Sequence, residues 1–125
     1  MTRDPRAYLA DVIEAGIAIQ DAVATIGFDD YCSSRLIRSA VEREFMIIGE
    51  AMKQLSQRNP KLFASIGQGP EIIGFCNKLT HEYITINNQL VWGGVIQSEL
   101  PDLTSAVSCC FSCWRPEQIA THGQS

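Results

Sequence analysis

The chain has no long apolar run. No uninterrupted hydrophobic stretch approaches the roughly 18 residues that a membrane span needs, so no transmembrane segment is expected and no membrane partner. The start, Met1-Thr2-Arg3-Asp4-Pro5, has no apolar run behind a basic cluster, which argues against a secretory leader. The expected compartment is the cytoplasm, where the five cysteines (Cys32, Cys76, Cys109, Cys110 and Cys113) stay reduced. Strand signals are nearly absent: Tyr83-Ile84-Thr85-Ile86 is the only β-favouring run, and it is short. Neither an internal repeat nor a low-complexity segment is present. Gly67-Gln68-Gly69-Pro70 is the one glycine-rich turn, and it lacks the following Lys-Ser/Thr of a phosphate-binding P-loop. Histidine is scarce, with only His81 and His122, and no Ser/His/Asp arrangement stands out.

What is present fits one globular domain. A chain of 125 residues buries roughly two-thirds of its unfolded surface, enough for a core without a metal or a disulfide. Hydrophobic residues make up 46% and charged residues 19%, the balance of a folded protein. The net charge of −4 argues against binding nucleic acid over the whole surface. The charge is unevenly spread, however. Residues 1–30 and 79–125 are acidic, whereas residues 31–78 hold seven basic side chains (Arg35, Arg38, Arg43, Lys53, Arg58, Lys61, Lys78) against four acidic ones. A local basic surface beside His81 is compatible with this pattern, as is an ordinary solvated face of mixed charge.

The periodicity is helical throughout and predicts an all-α, up-down bundle of about five helices. Asp4-Pro5 starts the first, with proline where its missing N–H costs nothing. Leu9, Val12, Ile13, Gly16, Ile17, Ile19 and Val23 follow at helical spacing. Gly27-Phe28-Asp29-Asp30 breaks it, and Asp29, Asp30 or Ser33 is a candidate cap for the next. That second helix is expected over 31–57, with Ile37, Val41, Ile48, Met52 and Leu55 on one stripe and Leu36, Ala40, Arg43, Ile47, Glu50 and Gln54 on the neighbouring one. Gly49 in its middle costs about 1 kcal/mol relative to alanine, which suggests close approach of another helix. Arg58-Asn59-Pro60 should end it. A third helix is expected over 71–81 and a fourth over 87–99, with Pro101-Asp102 stopping the fourth and starting a fifth. The domain is expected over 1–114, with a loose polar tail over 115–125.

Three groups of residues invite chemistry. Asn77 and His81 lie four apart on one helix and so share a face; histidine titrates near neutral pH and can move protons, although a lone histidine at a helix end more often serves as a cap. Arg43 and Glu50 sit two turns apart beside the predicted buried stripe, where an ordinary ion pair is the plain reading. Cys109, Cys110 and Cys113, with His122, could in principle ligate zinc. Their place in an amphipathic helix favours small apolar residues on a buried face instead, so no metal and no cofactor is assigned.

Gly74-Phe75-Cys76-Asn77-Lys78-Leu79-Thr80-His81-Glu82-Tyr83 resembles the Arg-Asn-x-x-x-His-x-Tyr signature of HEPN-domain ribonucleases, in particular the HepT-like toxins. Two more segments extend the resemblance over about residues 5–114. Arg38 to Ala51 looks like the family's second-helix pattern ending in Ile-Gly-Glu-Ala. Ile86-Asn87-Asn88-Gln89-Leu90-Val91-Trp92 with Leu100-Pro101-Asp102-Leu103 looks like its later helices.

The resemblance implies an all-α homodimer that cleaves single-stranded RNA, mRNA or tRNA, without a metal, in a cleft at the dimer interface. The ribose 2′-OH would attack the adjacent phosphate. On this chain the proton-moving histidine would be His81, the neighbouring amide Asn77, the supporting tyrosine Tyr83, and the acidic residue of the second helix Glu50. It also implies a toxin–antitoxin pair, in which an MNT-type nucleotidyltransferase antitoxin adenylylates Tyr83 and silences the nuclease. One position departs: Cys76 stands where the family carries arginine. A thiol has neither the permanent charge nor the five-donor fork of a guanidinium, and losing such a contact can cost on the order of 100-fold in rate. Arg43 and Lys78 are the candidate RNA-binding cations, although Lys78 lies about 200° around the helix from Cys76. The departure leaves open a weak nuclease, an engineered inactive one, or a non-catalytic dimer binding RNA, nucleotide or a nucleotidyltransferase partner. A helical interaction module with no nucleic-acid role is the broadest alternative.

Overall fold

A computed structural model of the chain describes residues 4–81 and 87–113. These residues contain six α-helices and one π-helical segment, and no strand. The all-α expectation therefore holds, with more elements than expected. Helix α1 (Pro5–Val23) starts as its sequence dictates: Pro5 occupies the first turn and the Asp4 carboxylate accepts the Arg6 amide at 2.8 Å, supplying a partner for one of the orphan donors of a helix start.

The helix expected over 31–57 is two helices. Short α2 (Phe28–Ser33) and long α3 (Arg35–Arg58) meet at Ser34, which is extended at φ −102° and ψ 103°. Ser34 is the break because its hydroxyl caps α3, accepting the Ile37 amide at 3.2 Å. The caps are thus Gly27 for α2 and Ser34 for α3; Asp30 contributes by accepting the Gly27 amide at 3.3 Å. Arg38 reaches back and donates to the carbonyls of Tyr31 and Cys32, placing a cation at the negative end of α2.

Asn59-Pro60 ends α3 and also begins another helix, α4 (Pro60–Ile66), which the periodicity does not announce. The Asn59 side chain accepts the Leu62 amide at 3.2 Å and Pro60 sits in the first turn. Gly67, at φ +81°, takes the left-handed conformation that ends α4 and is open to glycine at no steric cost. Helix α5 (Gly69–His81) follows.

The expected boundary near Pro101 is found, since one element ends at Glu99 and the next begins at Leu100, but no break separates them. A π-helical segment (Leu90–Glu99) runs directly into α6 (Leu100–Cys113). The Leu100 amide bonds to the Val95 carbonyl, five residues back. Pro101 follows that bond, where the ladder changes from the π to the α register and a residue without an amide donor is tolerated.

Helix α3 is the centre of the bundle, packed along α1 on one side and α5 on another, with α6 covering α1. Its buried stripe is Val41, Phe45, Ile48, Met52 and Leu55, facing Leu9, Val12 and Ile19 of α1. All eight of these residues are 0–1% exposed, and full burial of each such side chain stabilises by roughly 1.5–3 kcal/mol. Ile37 is only partly buried, and Ile17 is half exposed. Phe45 meets Phe75 of α5 edge to face at 5.1 Å. Tyr31 and Phe28 stack near Trp92 at 5.4 and 6.2 Å, tying α2 to the π segment. No helix among the described residues is long and apolar enough to cross a membrane.

Candidate active site

The α3–α5 crossing positions the site. A methyl group on Gly49 would lie 2.6 Å from the Cys76 Cβ and 3.2 Å from its sulfur, closer than real side-chain contacts allow. The mid-helix glycine is therefore the close approach its cost implied: it brings the start of the Cys76 side chain against the α3 backbone. Cys76 is 3% exposed. Its thiol is pushed up to about 12, mainly by burial, with a backbone hydrogen bond to Gly49 opposing the shift. Near neutral pH it is uncharged, so it supplies neither a cation nor a thiolate.

Around this crossing opens a cleft of about 500 Å³. Arg43, Glu50, Cys76, Asn77 and His81 all line it, so five of the residues singled out in the sequence come together from two helices. On α5, Asn77 and His81 are exposed one turn apart and present the same face. The Thr80 hydroxyl donates to the Cys76 carbonyl at 3.0 Å, which steadies the last turn. On α3, the neighbouring stripe is the cleft wall: Arg43 and Glu50 are exposed, and Ile47 and Gln54 half-buried. The Glu50 carboxylate accepts from Gln54 at 3.0 Å, and the Gln54 carbonyl oxygen accepts from Arg58 Nε at 3.0 Å. These i, i+4 contacts orient Glu50 through Gln54 and leave Arg43 outside the ladder.

Lys78 is exposed but does not line the cleft, as its helical angle from Cys76 requires. Tyr83 lies outside the described residues, and so does His122.

The cleft also holds residues that the sequence motifs do not single out. Lys53 follows Glu50 by three positions and Arg43 by ten, so it belongs to the same wall; helical spacing alone would have found it. Tyr8 and Asp11 come from α1, and no pattern within α3 or α5 points to them. The lining thus mixes two cations (Arg43, Lys53), two carboxylates (Asp11, Glu50) and one imidazole (His81). Such a balance suits a site that binds a phosphate and moves a proton better than a uniformly basic track along a backbone.

Of the three C-terminal cysteines, only Cys110 packs, partly buried, against the core. Cys109 and Cys113 are exposed, and Cys110 is half-buried with its sulfur 3.7 Å from the Ser65 hydroxyl. The helix is amphipathic, but Leu103 and Val107 take its core face and turn Cys109 and Cys113 outward.

Comparison with known proteins identifies the family of the chain. The family model described as "Ribonuclease HepT-like" matches residues 12–109. The protein named "Putative RNase TTE0752" of Caldanaerobacter subterraneus subsp. tengcongensis is 30% identical over 105 residues, covering 84% of this chain and 92% of the relative. "Putative RNase MJ1380" of Methanocaldococcus jannaschii is 28% identical over 84% of this chain and 94% of its own. "Probable ribonuclease HepT" of Thermococcus cleftensis is 29% identical over 82% and 92%. No solved structure matches with comparable significance. With the family model matched across α1 to α6 and these relatives aligned over nearly their full lengths, the chain belongs to the HepT-like ribonuclease family.

Proposed function

We propose that the chain is a metal-independent endoribonuclease of the toxin type, cutting single-stranded RNA in the α3–α5 cleft, with its phosphate-binding charge supplied from α3. The observation that carries this reading is the convergence of His81 and Asn77 with Arg43, Lys53 and Glu50 on one cleft, although the motif arginine is missing. The ribose 2′-OH attacks the adjacent phosphorus as its proton passes to a base. The P–O5′ bond breaks, the leaving oxygen takes a proton, and a 2′,3′-cyclic phosphate remains. His81 is the proton-moving group. Arg43 and Lys53 hold the phosphate and the charge that develops on it. Asn77 and Glu50 orient the groups beside them. Lys78, off the cleft, would meet only RNA that extends beyond it.

On the same reading two copies pair across the cleft face. The cleft lining exposes Met46 (40%), and Leu36 (84%) is exposed about two turns before Arg43 on the same helix, large apolar side chains that a partner surface would cover. The cognate antitoxin is an MNT-type nucleotidyltransferase that silences the nuclease by adenylylating Tyr83, and the pair works in the cytoplasm.

The test is RNA cleavage in EDTA by three forms: the chain itself, Cys76→Arg, and Cys76→Arg with His81→Ala. Gly49 leaves room for the root of a longer side chain at position 76. Cleavage by the chain itself, lost on Arg43→Ala, supports the α3 cations. Cleavage by Cys76→Arg alone identifies a disarmed nuclease with an otherwise intact site. If none cuts, the catalytic reading falls. A second reading, a dimer that binds RNA, nucleotide or its partner without cutting, is favoured by one observation: the residue at the arginine position is a buried, neutral thiol. It requires RNA binding that survives His81→Ala. Intact mass after incubation with the transferase and ATP tests the modification; AMP mapped away from Tyr83 overturns that assignment.

A further inference from the structure

Free cysteine is among the most buried residue types, yet α6 ends with two on its surface. Cys109 and Cys113 are both exposed. They are four residues apart within α6 (Leu100–Cys113), so they stand one above the other on one face, with Cβ atoms about 5–6 Å apart. The Cys113 side chain is the main reason the Cys109 thiol is held above its ordinary value, which fits two thiols facing each other on adjacent turns. The third thiol is turned away: Cys110 points to Ser65 of α4. Packing does not account for the pair, because the core face of α6 is Leu100, Leu103 and Val107. The cleft does not use it either, since none of these cysteines lines it.

We propose that Cys109 and Cys113 form a surface dithiol site for a soft, two-coordinate metal ion of the Cu(I) class. Thiolates select soft ions, and two sulfurs on adjacent turns provide the ligand number that such an ion takes. Zinc is a poorer match, since its structural sites are closed by four ligands and no group of three or more metal-ligating side chains occurs among the described residues. Binding is an exchange without redox change. Two S–H bonds break, two metal–sulfur bonds form, and two protons leave to solvent.

The experiment is an anaerobic titration of the reduced full chain with Cu(I), held in a competing chelator, with proton release measured in a weakly buffered solution. The expected result is one ion bound per chain with two protons released. Cys109→Ser and Cys113→Ser should each weaken binding by at least 100-fold, while Cys110→Ser and Cys32→Ser leave it unchanged. Both decisive positions are exposed, so serine should not disturb the fold; circular dichroism checks this. Binding that is unaffected by Cys109→Ser and Cys113→Ser, equally weakened by Cys110→Ser, or absent in the parent chain overturns the proposal.

Discussion

Helix α3 presents two faces with opposite rules. One carries Val41, Phe45, Ile48 and Met52, each 0% exposed. The other, a fraction of a turn away, carries Arg43, Met46, Glu50 and Lys53, all exposed and all lining the cleft. The first face holds the bundle together through apolar burial. The second leaves its charged heads at the surface, where they contribute little to folding and are free to meet a ligand. The comparison teaches that stability and activity on this helix should separate under mutation. It breaks down if a change on one face produces the signature of the other.

The largest expected separation is Phe45→Ala against Arg43→Ala. Phe45 is fully buried and meets Phe75 edge to face, so its removal should cost about 3–5 kcal/mol. Arg43→Ala should stay within about 0.5 kcal/mol of the parent in stability and appear instead as weakened RNA binding with a shallower salt dependence. Urea unfolding and RNA titration at two salt concentrations measure both. Similar stability losses for the two variants would erase the distinction between the faces.

The second test uses pH, at the crossing where the two faces meet. Burial pushes the Cys76 thiol up to about 12, against an ordinary value of 9.0. A group whose pKa rises on folding favours the native state fully below its unfolded pKa, and that contribution is lost as pH climbs from 9.0 toward about 12. The unfolded chain gives up its proton first, so alkali favours unfolding. The loss should reach a few kcal/mol, since each tenfold weakening of an acid on folding corresponds to about 1.4 kcal/mol. Tyr31, pushed up from 10.0 to about 12 by its own burial, acts in the same direction. Comparing Cys76→Ala with the parent in urea from pH 8 to pH 11 isolates the thiol: the variant's stability should fall less steeply. Parallel curves would mean that Cys76 is not held neutral by the fold.

Next in size is Gly49→Ala. Helix propensity favours the alanine by about 1 kcal/mol, but its methyl would sit 2.6 Å from the Cys76 Cβ. Such overpacking costs roughly 1–3 kcal/mol, so the net should be destabilising. The partner in the clash is a Cβ. Cys76→Ala keeps that atom and should not rescue Gly49→Ala, whereas Cys76→Gly removes it and should. Rescue by both, or by neither, would mean that α3 and α5 do not cross at these two residues.

Much of this is legible in the sequence, and for definite reasons. The buried stripe from Val41 to Leu55 follows from a period of 3.6, and the meaning of Gly49 follows from the cost of glycine inside a helix. Spacing alone places Asn77 and His81 on one face. The contribution of α1 is not legible: Tyr8 and Asp11 reach the cleft through tertiary packing that no local pattern encodes. Cys109 and Cys113 mislead because their type favours burial, while Leu103 and Val107 already take the core face. Pro101 reads as a break between two helices because a regular α-helix interior has no place for its missing donor; the boundary is there, but the chain runs through it without a break. The π register ahead of it supplies that place, and a sequence window does not reveal the register.

The helix boundary at Ser34 offers the smallest effect and the sharpest local test. A run with α3's composition would continue into α2 if nothing interrupted it, and the two are separated by a single extended residue. Ser34 marks the break by accepting the Ile37 amide, while Arg38, one turn on, ties down the α2 carbonyls. Ser34→Ala should therefore cost about 1 kcal/mol, the usual loss for an N-cap, and Ser34→Asp should recover it because a carboxylate caps equally well and suits the positive helix end. The cleft residues of α3 begin at Arg43, more than two turns from Ser34 at about 3.6 residues per turn, so RNA binding should not change. A shift in cleavage or binding with Ser34→Ala would mean that the start of α3 sets the position of Arg43, and that the two faces are less independent than their burial indicates.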